Sequence, residues 1–216
     1  MNLTFVTSFS ERYYDKTAKY SLATWSHLTG RKIVIADHGF NPKLEGIEVI
    51  NTQSIIDPKD QYWQTTGKKH KFWLKGMCFA WACENVTTDY IVWLDSDVKI
   101  FKPVDFEKFK PTDDILATMI SADLSHAETG FVFINRKHPD FKKWLAEYKA
   151  GWYNGLIEQV PRPWDGHIFY HTIKDYPHRN LANNTERNPQ GFEDTDLLEY
   201  MFHYSGKDRK HLISEN

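Results

Sequence analysis

Cysteine is scarce in this sequence, which has only Cys78 and Cys83 among its 216 residues. The two lie in one segment with helical periodicity, and their spacing places the side chains on different faces of a helix. That arrangement is far from disulfide geometry. We therefore expect two buried, reduced thiols.

An excess of charge of either sign is also missing. The chain has 27 Lys and Arg against 29 Asp and Glu, which gives a net charge of -2 and a pI of about 6.5. Without a basic field there is no general attraction for nucleic acid, and without an acidic tail there is no sign of a basic partner. We expect small-molecule chemistry and no nucleic-acid partner.

Long apolar runs are absent as well. No stretch reaches the roughly 18 consecutive apolar residues of a membrane span, and residues 1–6 lack the basic start of a signal peptide. We expect a cytoplasmic protein with no transmembrane segment. The length suits one compact domain, and no feature specifies an oligomeric state.

What is present is an alternation of strand and helix patterns. Apolar, β-prone runs predict strands at 3–6, 32–36, 47–50, 90–94, 114–120 and 130–135, and helical spacing predicts helices at 11–28, 69–84 and 140–150. The run 90–94 is almost entirely apolar, as in a parallel sheet covered on both faces. The predicted fold class is α/β, with a Rossmann-like, mostly parallel central sheet flanked by helices. The polar stretch 180–190 predicts a mobile loop, which could act as a lid.

Two acids, Asp95 and Asp97, follow the most apolar strand directly. Ligands of open α/β sheets collect at the carboxyl ends of strands, so this is where a site is expected. Two carboxylates this close repel each other unless a cation offsets their charge, and Mn²⁺ or Mg²⁺ would do so while holding diphosphate oxygens. For an arbitrary acid pair a turn or cap role is the commoner case. Asp194 and Asp196 have the same spacing but precede an apolar run, as capping residues at a helix N-terminus would.

The run from Tyr90 to Val98, Tyr-Ile-Val-Trp-Leu-Asp-Ser-Asp-Val, resembles the Asp-x-Asp strand of glycosyltransferases with the GT-A fold, especially the families that include glycogenin and the bacterial lipopolysaccharide galactosyltransferases. The resemblance implies one GT-A-like domain over 1–216, with a nucleotide-binding half at 1–97 and an acceptor and sugar-binding half at 98–216. The implied activity is metal-dependent transfer of a sugar, as by a hexosyltransferase. The donor would be a nucleotide sugar, by resemblance a UDP-sugar, and the acceptor a hydroxyl of a glycan or another molecule.

The resemblance also implies a metal shell and donor contacts. His203, in the run His-Tyr-Ser-Gly-Lys, would join Asp95 and Asp97 around Mn²⁺ or Mg²⁺. A basic residue on the helix before the Asp-x-Asp strand would reach the donor, and Lys75, or Lys71 one turn earlier, matches it. The implied donor-binding set also includes Ser96, Gly206 and Lys207. Lys207 lies in a charged run, where a solvated lysine is equally expected.

Three further residues end the first two predicted strands: Thr7, Ser8 and Asp37. They share the sheet edge with the aspartates and could meet the nucleoside base and ribose. Turn chemistry explains them almost as well.

Two carboxylates match the positions that face the transferred sugar, and we predict them as catalytic. Glu128 opens the run Glu-Thr-Gly-Phe-Val-Phe-Ile-Asn, and Asp165 lies in Trp-Asp-Gly-His, where the family more often has Asp-Gln. In a retaining enzyme one would stabilise a cationic transition state beneath the sugar, and in an inverting enzyme one would act as general base. Structural roles at a strand end and a helix cap are the alternatives.

Two other functions are compatible with these motifs. One is a phosphatase of the haloacid dehalogenase type, in which Asp-x-Asp supplies nucleophile and acid, although that motif normally opens its domain. The other is a non-catalytic module that binds a carbohydrate or nucleotide sugar. Aromatic residues are abundant, and four of them suit either a core or a sugar platform: Trp152, Tyr153, Trp164 and Phe169.

Overall fold

The computed structural model describes residues 1–37, 39–63, 67–183 and 192–204, without the side chains of 67–69. Its strands are β1 (Leu3–Phe9), β2 (Arg31–Ala36), β3 (Glu48–Asn51), β4 (Tyr90–Leu94), β5 (Val98–Ile100), β6 (Leu116–Ile120), β7 (Ala127–Asn135), β8 (His178–Asn180) and β9 (Met201–His203). Its α-helices are α1 (Glu11–Tyr13), α2 (Lys19–Ala23), α3 (Gly67–Asn85), α4 (Phe141–Gly151), α5 (Leu156–Gln159) and α6 (Asp165–Ile173). Short 3-10 turns lie at Thr24–His27, Thr52–Ser54, Phe106–Lys108 and Asp196–Glu199, and a π-helical turn lies at Tyr14–Ala18.

Seven strands form one central sheet in the order β3-β2-β1-β4-β7-β6-β8. The pairs among β3, β2, β1 and β4 are parallel, as is the pair of β6 with β8, whereas β7 is antiparallel to both its neighbours. The predicted α/β class with a mostly parallel sheet is confirmed. The reversed direction of β7 was not predicted, and it brings the first residues of β7 to the edge where the other strands end.

Both faces of the sheet are covered by apolar cores. Along β4, Ile91 and Trp93 pack into one core and Val92 and Leu94 into the other. The first core includes residues of α3, α4 and α6, and the second includes residues of the segment that follows β1. Because alternate side chains of β4 both need an apolar neighbour, the strand has no polar position, which explains the unbroken apolar run.

The prediction of one continuous helix at 11–28 is wrong. The segment consists of α1, the π-helical turn Tyr14–Ala18, α2 and the 3-10 turn Thr24–His27. With these changes of helical pitch, two hydroxyls contact β5. Ser21 Oγ donates to a backbone carbonyl of that strand, and Thr24 Oγ1 accepts from a backbone N–H of it at 3.0 Å. The broken helix therefore holds β5 in place.

A second, two-stranded sheet was also missed by the sequence patterns. β5 pairs antiparallel with β9, and Val98 lies opposite His203. Each strand has only three residues, too few to show a period of two. This small sheet brings a C-terminal segment beside the end of β4.

Several smaller predictions can be compared directly. Cys78 and Cys83 are buried free thiols, as predicted. The pair at Asp194 and Asp196 does precede a helical turn, but the capping side chain is Thr195, whose hydroxyl accepts from the backbone N–H of Leu197. Most of the predicted lid loop, residues 184–190, lies outside the described residues. No described helix combines the length and the apolar character needed to cross a bilayer.

Candidate functional site

Three side chains with metal-ligating atoms meet at the carboxyl edge of the sheet. Asp95 follows β4, Asp97 precedes β5, and His203 ends β9, which pairs with β5. One ligand atom of each lies within 4.8 Å of the others. His203 Nε2 is 3.0 Å from Asp97 Oδ1 and 3.7 Å from Asp95 Oδ2. The structure thus brings together the three residues predicted as metal ligands.

His203 also touches a fourth acidic residue through its other ring nitrogen. Nδ1 lies 3.3 Å from Glu128 Oε1, but within the described part of the chain it makes no hydrogen bond. Glu128 accepts from the backbone N–H of Gly130 at 2.8 Å. A Cβ at position 130 would lie 2.5 Å from His203 Nδ1, so glycine is needed for the ring to pack there.

Asp95, Asp97 and His203 form a metal-type cluster, and Lys75 connects this cluster to Asp165. Its ammonium nitrogen lies 2.7 and 2.9 Å from the two carboxylate oxygens of Asp95, and 2.6 Å from Asp165 Oδ2. It also donates to Thr129 Oγ1 at 3.1 Å, and that hydroxyl in turn donates to Asp165 Oδ2 at 2.6 Å. The four side chains form a closed network on α3, β4, β7 and α6.

Glycine at position 166 allows α6 to approach β7 closely enough for this network. A Cβ at Gly166 would overlap the carbonyl oxygen of Ala127, at the start of β7. The Asp-Gly sequence, where the resembling families more often have Asp-Gln, therefore has a packing reason. Asp165 is 6% exposed and begins α6, where the helix dipole favours a negative charge.

Burial and charge shift the pKa values in this cluster. Burial lowers the pKa of Lys75, but the carboxylates of Asp165 and Asp95 more than offset this, so the net shift is upward. Burial likewise opposes charge on His203, yet Glu128 and Asp97 hold its pKa well above the usual range. For Asp95 burial dominates and raises the pKa. For Asp165, Lys75 outweighs the effect of burial, and the pKa is lowered.

The cluster keeps an excess of acidic groups. Among the described residues, the cluster brings the carboxyl groups of Asp95, Asp97, Glu128 and Asp165 together with two basic groups, Lys75 and His203. A histidine that binds a metal is neutral. With His203 neutral and Lys75 and the four carboxyl groups ionised, these groups sum to three negative charges, which a divalent cation would largely offset. Carboxylate oxygens suit Mg²⁺ and Mn²⁺, and the imidazole nitrogen favours the transition ion Mn²⁺ over Mg²⁺. The residues therefore fit a divalent cation held by Asp95, Asp97 and His203.

Four other residues predicted to bind the nucleotide-sugar donor lie in or after β1, β2 and β4. Thr7 lies in β1, fully buried, with no hydrogen-bond partner for its hydroxyl among the described residues. Ser8 lies in β1 and Asp37 follows β2, where Asp37 Oδ1 accepts from Thr52 at 3.2 Å. β1 continues to Phe9, so Thr7 and Ser8 lie within the strand and do not end it as predicted. Ser96 lies in the turn between the two aspartates.

Of the two candidate lysines on α3, Lys75 faces the cluster and Lys71 does not. Lys71 donates to the hydroxyl of Tyr13 at 3.0 Å. Gly206 and Lys207 lie outside the described residues.

The aromatic alternatives divide between core and surface. Trp152 and Phe169 are at most 1% exposed and belong to the core. Tyr153 is 41% exposed, and its hydroxyl donates to Asp60 at 2.7 Å. Trp164, directly before Asp165, is half-buried and lies with Arg162 over its ring at 4.6 Å.

Two contributors to the cluster were missed by the sequence analysis. Trp93 donates through Nε1 to Asp95 Oδ1 at 3.2 Å, and Thr129 binds both Lys75 and Asp165. The alternation of side chains along a strand could have identified Trp93, because residues two apart, such as Trp93 and Asp95, lie on the same face. Nothing in the sequence separates Thr129 from other threonines.

Similarity to known proteins is found at the level of structure. No family model matches the sequence, and no curated protein matches it. Solved structures do match. The galactosyltransferase LgtC, in complex with donor and acceptor sugar analogs, matches at 14% identity and a TM-score of 0.59. The match covers 83% of this chain and 73% of that chain. The glycosyltransferase GlyE of Streptococcus pneumoniae TIGR4 matches at 16% identity and a TM-score of 0.55, with 85% and 46% covered. The bifunctional glycosyltransferase WbbM matches at 10% identity and a TM-score of 0.62, with 100% and 50% covered.

These matches show the fold. The chain has the GT-A-like fold that the sequence resemblance implied. It spans about half the length of GlyE and WbbM and nearly three quarters of LgtC.

Proposed function

We propose that this chain is a metal-dependent glycosyltransferase that moves a sugar from a nucleotide sugar, with a UDP-sugar as the favoured donor, to an acceptor hydroxyl. The observation that carries the proposal is the meeting of Asp95, Asp97 and His203 at the carboxyl edge of a GT-A-like sheet. The excess of negative charge in the cluster and the fold likeness support it together. The division into a nucleotide-binding half at 1–97 and an acceptor and sugar-binding half at 98–216 belongs to the same proposal.

Asp95, Asp97 and His203 would hold Mn²⁺, or Mg²⁺. A bound dication supplies neutralising charge for the departing nucleoside diphosphate. The chain contributes preorganised ligands, because Trp93 donates to Asp95 and the pairing of β9 with β5 places His203 beside Asp97. Fixed ligands need little reorganisation when charge develops on the leaving group.

Asp165 is the carboxylate we propose to face the transferred sugar. Lys75 and Thr129 both donate to its Oδ2, which fixes the group and keeps it ionised. An ionised, oriented carboxylate can stabilise positive charge on the sugar ring or accept the proton of the attacking hydroxyl. The two roles correspond to retaining and inverting stereochemistry.

Glu128 has contacts of a different kind. It accepts from the backbone of Gly130 and touches His203 Nδ1, as a carboxylate behind a metal-binding histidine does. Its predicted catalytic role stays a prediction, and its contacts favour a role in orienting His203. The donor contacts of Thr7, Ser8, Asp37, Lys75, Ser96, Gly206 and Lys207 also stay predictions.

The test is turnover with a panel of UDP-sugars and simple glycoside acceptors, in Mn²⁺ or in EDTA. We expect UDP release that requires Mn²⁺ and increases with a suitable acceptor. Asp165→Asn should lower turnover by about 100-fold, as loss of one charge-stabilising group does, while the folded variant still binds UDP in the presence of Mn²⁺. Asp194→Asn, at the other Asp-x-Asp pair, is the matched control and should keep wild-type turnover.

The two alternatives predict other outcomes of the same assays. A phosphatase would release inorganic phosphate from phosphate monoesters and lose that activity in Asp95→Asn. A binding module would bind UDP-sugars with Mn²⁺ but release no UDP under any condition. Either result would replace the proposal.

A further inference from the structure

The ammonium of Lys75 has all of its hydrogen-bonding capacity engaged within the protein. A lysine ammonium has three N–H donors, and its neighbours here are the two oxygens of Asp95, one oxygen of Asp165 and the hydroxyl of Thr129. The side chain is only 17% exposed. A lysine whose role was to contact the donor would be expected to keep a donor group directed at open space.

The same ammonium shares a ligand with the metal-type cluster. Its distance to Asp95 Oδ2 is 2.9 Å, and His203 Nε2 lies 3.7 Å from that same oxygen. Since Lys75 reaches both oxygens of Asp95, a dication bound by Asp95 would have to share the carboxylate with a positive charge. Two cations on one carboxylate repel each other.

We propose that Lys75 is an internal counter-ion, which holds Asp95 and Asp165 when the metal site is empty and opposes the entry of a dication at Asp95. The inference rests on the proposed function and extends it to the control of metal binding. In the absence of a cation the lysine offsets two buried carboxylates that would otherwise repel each other. A dication at Asp95 weakens the hold of Lys75 on that side, and Asp165 and Thr129 then retain the ammonium.

This arrangement links the metal site to the carboxylate proposed to face the sugar. Asp165 does not belong to the metal-type group of Asp95, Asp97 and His203, yet it shares the Lys75 ammonium with Asp95. Occupation of the metal site and the environment of Asp165 should therefore change together. In this role Lys75 is a positioning residue.

The test is the affinity of the protein for Mn²⁺ alone, measured by electron paramagnetic resonance without any nucleotide. Lys75→Met removes the competing charge, so we expect it to bind Mn²⁺ about fivefold or more tightly than wild type. Its thermal midpoint without metal should fall, because two buried carboxylates lose their partner, and added Mn²⁺ should restore more of the midpoint than in wild type. Lys149→Met is the matched control, since Lys149 forms an ion pair with Glu84 at 2.6 Å away from the cluster, and its Mn²⁺ affinity should equal that of wild type.

Unchanged or weaker Mn²⁺ binding by Lys75→Met would overturn the inference. A lysine that only contacts donor phosphate predicts that pattern, with weaker UDP binding as the sole defect. If Lys75→Met does not fold, Lys75→Gln is measured with the same expectation. Asp165→Asn gives the opposite sign, since it leaves the ammonium to Asp95 and should weaken Mn²⁺ binding.

The two proposals fail in different ways. Failure of the proposed function appears in the wild type, as the absence of metal-dependent UDP binding or of transfer. Failure of the inference appears only in the comparison of Lys75→Met with wild type, while wild-type UDP binding is intact. No Mn²⁺ binding by wild type or by any variant would overturn the inference, and the proposed function is then decided by the UDP titrations and the transfer assay alone.

Discussion

Small residues decide the geometry of the site as much as charged ones do. Gly130 leaves room for the His203 ring, and Gly166 lets α6 reach the start of β7. Neither glycine has a positive φ, so the reason for glycine at both positions is close approach and not backbone conformation. Both flank acids predicted as catalytic, Glu128 and Asp165.

Gly130→Ala should therefore damage metal binding specifically. The added Cβ would lie 2.5 Å from His203 Nδ1, so the ring must shift from the position in which Nε2 lies 3.0 Å from Asp97. We expect Mn²⁺ affinity to fall about tenfold, as when a residue supporting a metal ligand is changed, with calorimetric titration as the measurement. Gly151→Ala is the control, because its Cβ would meet neighbours at 3.2 Å or more. Equal Mn²⁺ affinities in Gly130→Ala and wild type would contradict the packing argument.

A pH effect is expected from Asp123, in the loop before β7. Hydrogen bonds from Ser125 and Ser121 lower the pKa of Asp123 from 3.8 to about 2. A lowered folded-state pKa means that the ionised form stabilises the fold above the unfolded pKa, and that this contribution is lost as pH falls towards the folded pKa.

Asp123→Asn should accordingly reduce the pH dependence of stability between pH 3.8 and about 2. The measurement is the free energy of unfolding in urea at several pH values in that window, for both proteins. Because the side chain is largely exposed, the difference should be small but should grow as pH rises through the window. A constant difference between the two proteins would show that the hydrogen bonds do not favour the ionised carboxylate.

At the residue scale, prediction from sequence succeeded where position alone was informative. Asp95 and Asp97 follow the most apolar strand, and His203 was assigned by resemblance; the structure brings all three together. The contacts of Lys75 with Asp165 could not be predicted, because the two are far apart in sequence and the packing of α3 against α6 brings them together.

At the scale of secondary-structure elements, one side chain near the C-terminal end of α3 connects three segments of the chain. Arg136, just after β7, donates to the backbone oxygen of Cys83 in α3 and to that of Thr88 before β4, each at 3.1 Å. Its own N–H donates to the oxygen of Asp89. A guanidinium at a helix C-terminus satisfies orphan carbonyls and interacts well with the dipole.

Arg136→Met should lower the free energy of unfolding by about 2 kcal/mol, since hydrogen bonds from a charged donor are lost. Chemical denaturation measures this directly. Arg179→Met is the comparison, because the hydrogen bond of Arg179 within the described part of the chain is an exposed one, to the oxygen of Lys110, and its loss should have a smaller effect. UDP binding should be equal in both variants, and an equal loss of stability in both would contradict the connecting role of Arg136.

Whether a helix or strand was predicted depended on how many residues its sequence pattern covers. The apolar run of β4 and the amphipathic α4 were found, because both repeat their pattern over enough residues. The three-residue strands β5 and β9 were missed, although they position His203. The π-helical turn at Tyr14–Ala18 interrupts a helical period that the sequence displays without a break.

At the scale of the whole molecule, one topological feature creates the site. Six strands of the central sheet end at one edge, and the reversed β7 begins there. Asp95 therefore lies beside Thr129 and Gly130, and its N–H donates to the Gly130 oxygen at 2.9 Å. Sequence patterns predicted the parallel part of the sheet, but strand direction depends on connections that periodicity does not encode.

The central claim is that Asp95 and Asp97 hold a dication against a nucleoside diphosphate. The most direct measurement is calorimetric titration of UDP, with and without Mn²⁺, into wild type and into the double variant Asp95→Asn with Asp97→Asn. Asp194→Asn with Asp196→Asn, a pair of the same spacing, is the control and should bind as wild type does.

We predict that wild type binds UDP with an affinity that depends on Mn²⁺, and that the Asp95 and Asp97 variant loses that dependence while remaining folded. Loss of two carboxylate ligands should cost about 100-fold or more in metal-dependent affinity. Metal-dependent UDP binding of wild-type strength in the folded Asp95 and Asp97 variant would contradict the account.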